Sequence, residues 1–287
     1  MNKNAITDMK DFLHAKLCYQ LFITPIHPRR SESYRTMIHE ACQYIQKKQT
    51  AVTAYHSPRH HVIHEFAQPN PDAPKILITH GWLSRAAYMS QFIDALHTAG
   101  YAVYAIDFPA HGEAKGIQLH WSDAIKIIHQ TLNQLGPFYG VIGHSFGGSM
   151  LLNTLNLASQ FDAWRIHSLP KRAILLASPV RMRIAATQFA RKLKLNGNAL
   201  SYLRELFQKS AVVDLKCLDV RKYQSMGETK FLCLHGEQDT TVPPSESIYL
   251  CKHHAHASLV LYSDINHLNI IINQRVEQAA LSFLEAS

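Results

Sequence analysis

A chain of 287 residues with 47% hydrophobic and 17% charged residues carries enough apolar material for a sizeable core, which excludes disorder of the whole chain. The formal charge is +8, but the positive residues are scattered, with small clusters at 28–30, 171–172 and 181–194. None is interleaved with a nucleic-acid-binding motif, so no nucleic-acid partner is expected, and the charge reads as solvated surface with a long-range attraction for anionic substrates or surfaces.

The five cysteines (Cys18, Cys42, Cys217, Cys233, Cys251) are odd in number, widely spread and without a CxxC pair. That argues against a disulfide framework and for a reducing compartment. Near the N-terminus the apolar stretch from Phe12 to Ile26 is broken by His14, Lys16 and Gln20 and preceded by Asp8 and Asp11, which is not the pattern of a secretory signal. No apolar run approaches bilayer-spanning length, so no transmembrane segment is predicted and the cytoplasm is the expected location.

In chain order, residues 1–50 predict an N-terminal helical extension of one or two helices outside the sheet, and residues 51–287 the main domain. Ala51–His56 and His61–Phe66 read as an antiparallel pair turned by Ser57-Pro58-Arg59. From Lys75 onward short β-branched runs alternate with longer helical stretches, the pattern of a mostly parallel α/β sheet flanked by helices. The predicted strands are Lys75–Thr79, Ala102–Ile106, Tyr139–Ile142, Ala173–Ala177, Lys230–Leu234 and Leu259–Tyr262. Helices are predicted over Ala86–Ala99, Ser122–Leu135, Gly147–Ser159 and Ile272–Leu284. One interval breaks the rhythm. Between Ala177 and Lys230 lie about fifty residues, far more than an ordinary crossover. Residues 180–226, basic and helix-forming through Gln208, are expected to form a lid over the carboxyl edge of the sheet, where open α/β sheets place ligands.

The strongest chemical signal is Gly143-His144-Ser145-Phe146-Gly147-Gly148, set between a predicted strand and a predicted helix. Glycines on both sides of Ser145 permit a sharp turn that lifts the hydroxyl above the sheet edge. The helix that follows aims its free N–H groups and partial positive charge at the same place, which suits a developing oxyanion. A serine hydroxyl is a weak nucleophile, so it needs a base, and the base needs an orienting acid.

With these residues the chain resembles the α/β-hydrolase superfamily, roughly from Ala51 to the C-terminus. In that family the order is Ser, acid, His. His235-Gly236-Glu237-Gln238-Asp239 with Val242-Pro243 is similar to the acid-bearing loop, so the resemblance gives Asp239 the acid role. Asp264-Ile265-Asn266-His267 is similar to the histidine loop, which makes His267 the base. The interval between the two holds one crossover helix and one strand, as neighbouring strand ends require. His80-Gly81-Trp82 occupies the oxyanion-loop position, and the resemblance assigns the backbone N–H groups of Trp82 and Phe146 to the oxyanion hole. The turn from Asp107 to Gly112 resembles the family's D-x-P-G-H-G and is expected to shape the pocket wall. Ala110 stands where Gly is usual, which suggests a slightly different turn. Asn266 stands where Gly often precedes the histidine, and Asn tolerates left-handed backbone.

The resemblance implies a serine hydrolase that cleaves small-molecule carboxylic esters or thioesters through an acyl-enzyme, without a cofactor. An acyltransferase with the same triad remains open, as does a non-catalytic binding protein on this fold. A single Gly in the oxyanion loop leans towards small or medium acyl groups. His60, His61 and His64, and His253, His254 and His256, lack the framework of a metal site, so no metal is predicted. Asp264 competes with Asp239 for the acid role but would have to fold back on a short loop, and Asp107 is expected to be structural.

Overall fold

The computed structural model describes residues 3–26, 31–211, 213–218 and 228–286. Runs such as Lys-Ile-Leu-Ile-Thr at 75–79, apolar throughout, make strands only where both faces are covered. Among the described residues eight strands form one sheet: β1 (Ala51–Tyr55), β2 (His61–Phe66), β3 (Lys75–Thr79), β4 (Ala102–Asp107), β5 (Gly140–His144), β6 (Arg172–Leu176), β7 (Lys230–Gly236) and β8 (Ala257–Tyr262). Their spatial order is β1-β2-β4-β3-β5-β6-β7-β8. The β1–β2 and β2–β4 pairs are antiparallel, and every later pair is parallel.

Alternation along the strands feeds two cores. Leu77, Val141, Leu175 and Phe231 enter one, while Ile76, Ile142, Ile174 and Leu232 enter the other. On the first face lie α4 (Trp121–Gln134) and α5 (Phe146–Gln160), through Ile125, Ile128, Leu151 and Leu155. On the second lie α3 (Ser90–Thr98) and α9 (Gln274–Glu285), through Phe92, Leu96, Val276 and Leu284. A further helix, α8 (Ser245–His253), crosses from β7 to β8.

Two helices precede the sheet, α1 (Lys3–Ile23) and α2 (Glu32–Lys48). Ile45 of α2 joins the second core. The buried side of α1, with Ala15, Cys18, Tyr19 and Ile23, joins the first core instead. It packs along α7 (Gly197–Lys209), which with α6 (Met182–Lys192) occupies the long interval between β6 and β7. Residues 212 and 219–226 of the expected lid lie outside the described residues, as does the cluster at 28–30. Among the described residues no helix is long and apolar enough to cross a membrane.

Candidate active site

The parallel register brings the carboxyl ends of β3, β5, β7 and β8 to one edge. Thr79 pairs with Gly143, His144 with Leu176, and Gly236 with Tyr262. Ser145 fills the one-residue joint between β5 and α5. Its backbone stands at φ 50° and ψ −119°, a strained conformation for a residue with a Cβ. The joint is held by the Ser145 N–H donating to Leu176 O at 2.8 Å. A Cβ on Gly147 would stand 2.5 Å from His80 O, so only glycine lets the first turn of α5 lie against the end of β3.

His267 and Asp239 converge on this serine. The Ser145 Oγ to His267 Nε2 distance is 2.9 Å, and His267 Nδ1 lies 2.7 Å from Asp239 Oδ2. Asp239 Oδ1 accepts two further hydrogen bonds, from the N–H groups of Thr241 and Val242, both at 2.8 Å. Burial pushes the Asp239 carboxyl up, but hydrogen bonds from His235 and His267 outweigh it and hold it well below the usual carboxylate range. An ionised Asp239 keeps the His267 proton on Nδ1, which leaves Nε2 as an acceptor for the Ser145 hydroxyl. Ser145 and His267 are each only 9% exposed.

The third wall comes from the loop after β3. His80 Nδ1–H donates to Gly81 O at 2.7 Å, while His80 Nε2 accepts from the Phe108 N–H at 3.2 Å. Both ring nitrogens are therefore spent on shaping the loop, and burial lowers the pKa of this ring. A Cβ at Gly81 would come within 3.2 Å of Ser145 Cβ, so glycine admits the loop to the side of Ser145. The rings of Trp82 and Phe146 meet at 5.5 Å between centroids, which places the two residues side by side. Phe146 opens α5, so its N–H has no carbonyl four residues back within the helix. Asp107 braces the loop from behind by accepting from the N–H groups of Ala86 at 2.7 Å and Glu113 at 2.8 Å.

Three residues behave differently from the sequence expectation or were missed by it. Asn266 does not take a left-handed conformation. Its side-chain oxygen instead accepts the N–H groups of Leu268 and Asn269, both at 3.0 Å, so Asn shapes the turn by capping it. His144, inside the serine motif, is buried and donates from Nε2 to the backbone carbonyl of His267 at 3.0 Å. His235, at the end of β7, donates from Nε2 to Val242 O at 2.9 Å and sits 3.4 Å from Asp239 Oδ2. The only sequence signal for these two was a histidine at the carboxyl end of an otherwise apolar strand.

Ala110 adopts φ 61°, so the missing glycine of its turn is absorbed as backbone strain. Asp264 is exposed and paired with Arg275 at 2.6 Å. The histidine clusters are engaged elsewhere: His64 bonds Gln49 and Asp107, and His253 bonds Tyr249 O. Among the described residues no group of three or more His, Cys, Asp or Glu is placed to hold a metal ion.

Comparison with known proteins agrees with this architecture. Similar solved structures include the carboxylesterase CesB from Bacillus subtilis, with 17% identity over 88% of this chain and 98% of that one and a TM-score of 0.59. Another is alpha/beta hydrolase domain-containing protein 10 from mouse, with 13% identity over 81% and 96% and a TM-score of 0.59. A third is Est1E from Butyrivibrio proteoclasticus, solved with ferulic acid bound, with 19% identity over 79% and 96% and a TM-score of 0.58. At these identities the likeness concerns the fold. No curated protein matches the sequence. The family description that matches residues 76–244, more than half of the chain, is that of the alpha/beta hydrolases. The chain is a hydrolase belonging to the alpha/beta hydrolase family.

Proposed function

We propose that the protein is a serine hydrolase that cleaves carboxylic esters or thioesters through an acyl-enzyme. The observation that carries this reading is the unbroken path from Ser145 Oγ through His267 to Asp239, with links of 2.9 and 2.7 Å. In the proposed cycle His267 Nε2 takes the Ser145 proton as Oγ attacks the carbonyl carbon. The backbone N–H groups of Trp82 and Phe146 receive the oxyanion, a contribution of about 3–4 kcal/mol per donor in comparable sites. His267 then gives its proton to the leaving alcohol or thiol, and the ester bond breaks. Water, deprotonated by the same ring, attacks the acyl-serine, and the ring returns that proton to Ser145 Oγ as the acid leaves. Asp239 stays ionised throughout and stabilises the imidazolium.

The same reading makes α6 and α7 a cap over this edge. Support comes from Glu246, beside the acid loop, whose carboxylate accepts the N–H groups of Val180 and Arg181 at 3.0 Å and so ties the start of that segment to the site.

Hydrolysis of p-nitrophenyl esters by wild type and by Ser145→Ala tests the reading. Turnover that falls by about four to six orders of magnitude in the variant is the expected result. Equal turnover in both would overturn it.

A further inference from the structure

Beside the acid loop lies a cavity of about 220 Å³ whose walls come from three distant parts of the chain. Phe22 belongs to α1, Phe189 to α6, and Val242 and Pro243 to the loop that carries Asp239. The last wall is one hydrogen bond from the proposed triad, because the Val242 N–H donates to Asp239 Oδ1. We propose that this cavity receives an apolar arm of the ester, and that Phe22, from the N-terminal helix, sets how long an arm it holds. The proposal rests on the serine mechanism above.

Phe22 is fixed rather than free to swing. Its ring meets Phe189 edge-on at 5.2 Å and Phe207 at 4.9 Å. The end of α1 is pinned by the Leu119 N–H donating to Ile23 O at 2.8 Å and by Tyr19 against His120. Further along, Asp11 accepts from Asn196 at 2.6 Å and Asp8 from Tyr202, which tie α1 to α7. Phe22 and Phe189 nonetheless remain half-buried, so each keeps apolar surface that a ligand can cover.

Gln188 and Lys192, both exposed, also line the cavity. The Arg181 guanidinium in the wall is occupied by the buried Glu246 carboxylate and by the face of Tyr249 at 4.3 Å. Size sets an upper limit. A dry cavity of about 150 Å³ accepts benzene, whereas drug-sized ligands need pockets of about 300 Å³ or more. A space between these suits one ring or one short-to-medium chain.

The test is the rate at which alkyl fluorophosphonates of increasing chain length label Ser145 in wild type, Phe22→Ala, Phe22→Leu and Phe22→Trp. Intact folding is checked by thermal melting, and Phe22→Leu keeps the comparison open if the alanine variant does not fold. In wild type the rate should rise with chain length to an optimum. The optimum should move to longer chains in Phe22→Ala and Phe22→Leu and to shorter ones in Phe22→Trp, with about fourfold per methylene gained or lost. Parallel series of esters lengthened on the acyl or on the alcohol side identify the arm by which series follows the shift. An unchanged optimum in the folded variants overturns the role of Phe22 and leaves the serine mechanism standing. Failure of every reagent to label Ser145 in wild type overturns the serine mechanism, and this subsite with it.

Discussion

The side chain of His144 holds the backbone of His267: Nε2–H donates to the His267 carbonyl at 3.0 Å across a sequence separation of 123 residues. The residue before the proposed nucleophile thus fixes the loop that carries the proposed base. Replacing it by leucine leaves that buried carbonyl without its donor, at a cost of about 1–3 kcal/mol in stability. The His267 ring keeps Asp239 but loses its backbone anchor. His144→Leu should lower kcat for ester hydrolysis by about tenfold to a hundredfold while KM changes little. A variant with wild-type kcat would show that the Asp239 contact alone positions the ring.

Asp239 and Asp264 make a clean contrast, since both are acidic residues near His267. Asp239→Asn preserves size and can still accept from Thr241 and Val242, but it removes the charge that keeps the His267 proton on Nδ1. Its activity should fall by about four orders of magnitude, as expected when the tautomer is lost. Asp264→Asn removes only an exposed partner of Arg275 and should leave the rate at the wild-type level. Steady-state kinetics on one ester decides both, and comparable losses in the two variants would refute the assignment.

The three residues proposed as a triad stood out in the sequence because each sits in a short run whose local shape is dictated by its own residues: glycines around Ser145, and a strand end before Asp239 and before His267. The parallel direction of the later strands followed from their continuous apolar runs alternating with helices, whereas the spatial order, with β4 between β2 and β3, was read only from the structure. What was not legible is long-range. The spacing of Tyr19, Phe22 and Ile23 says that α1 has an apolar face, but not that Phe189 and Phe207 receive it. Likewise nothing local in His144 or His235 reveals that one clamps the His267 backbone and the other backs Asp239. Asn266 was read for its backbone tolerance, whereas its side-chain oxygen is what shapes the turn.

Ala110 offers a stability test. At φ 61° its Cβ is crowded against its own backbone, a cost of about 1–2 kcal/mol for an L-residue. Glycine removes that strain but loosens the unfolded chain by about 0.4–1 kcal/mol. Ala110→Gly should therefore stabilise the protein by up to about 1.6 kcal/mol, read as a higher urea midpoint at unchanged slope. A lower midpoint would mean that contacts of the Ala110 methyl group outweigh the strain.

Acid should unfold this protein early, through its buried histidines. Burial, and then the charge of His267, push the His144 pKa down to about 3 from 6.5, and burial likewise lowers that of His80. Between those two values the unfolded chain binds a proton at His144 that the folded protein refuses. Stability is therefore fully present above about pH 6.5 and falls as the pH drops towards 3, by about 1.4 kcal/mol per pH unit for each such histidine. Asp239, whose carboxyl is depressed, adds its own loss only below its ordinary range near 3.8. Urea midpoints measured from pH 8 to pH 4.5 should therefore decline below 6.5, and His144→Leu should show a shallower decline over the same range. Equal slopes in wild type and variant would mean that His144 is protonated in the folded state, and the clamp on His267 would then have to be held by a charged ring.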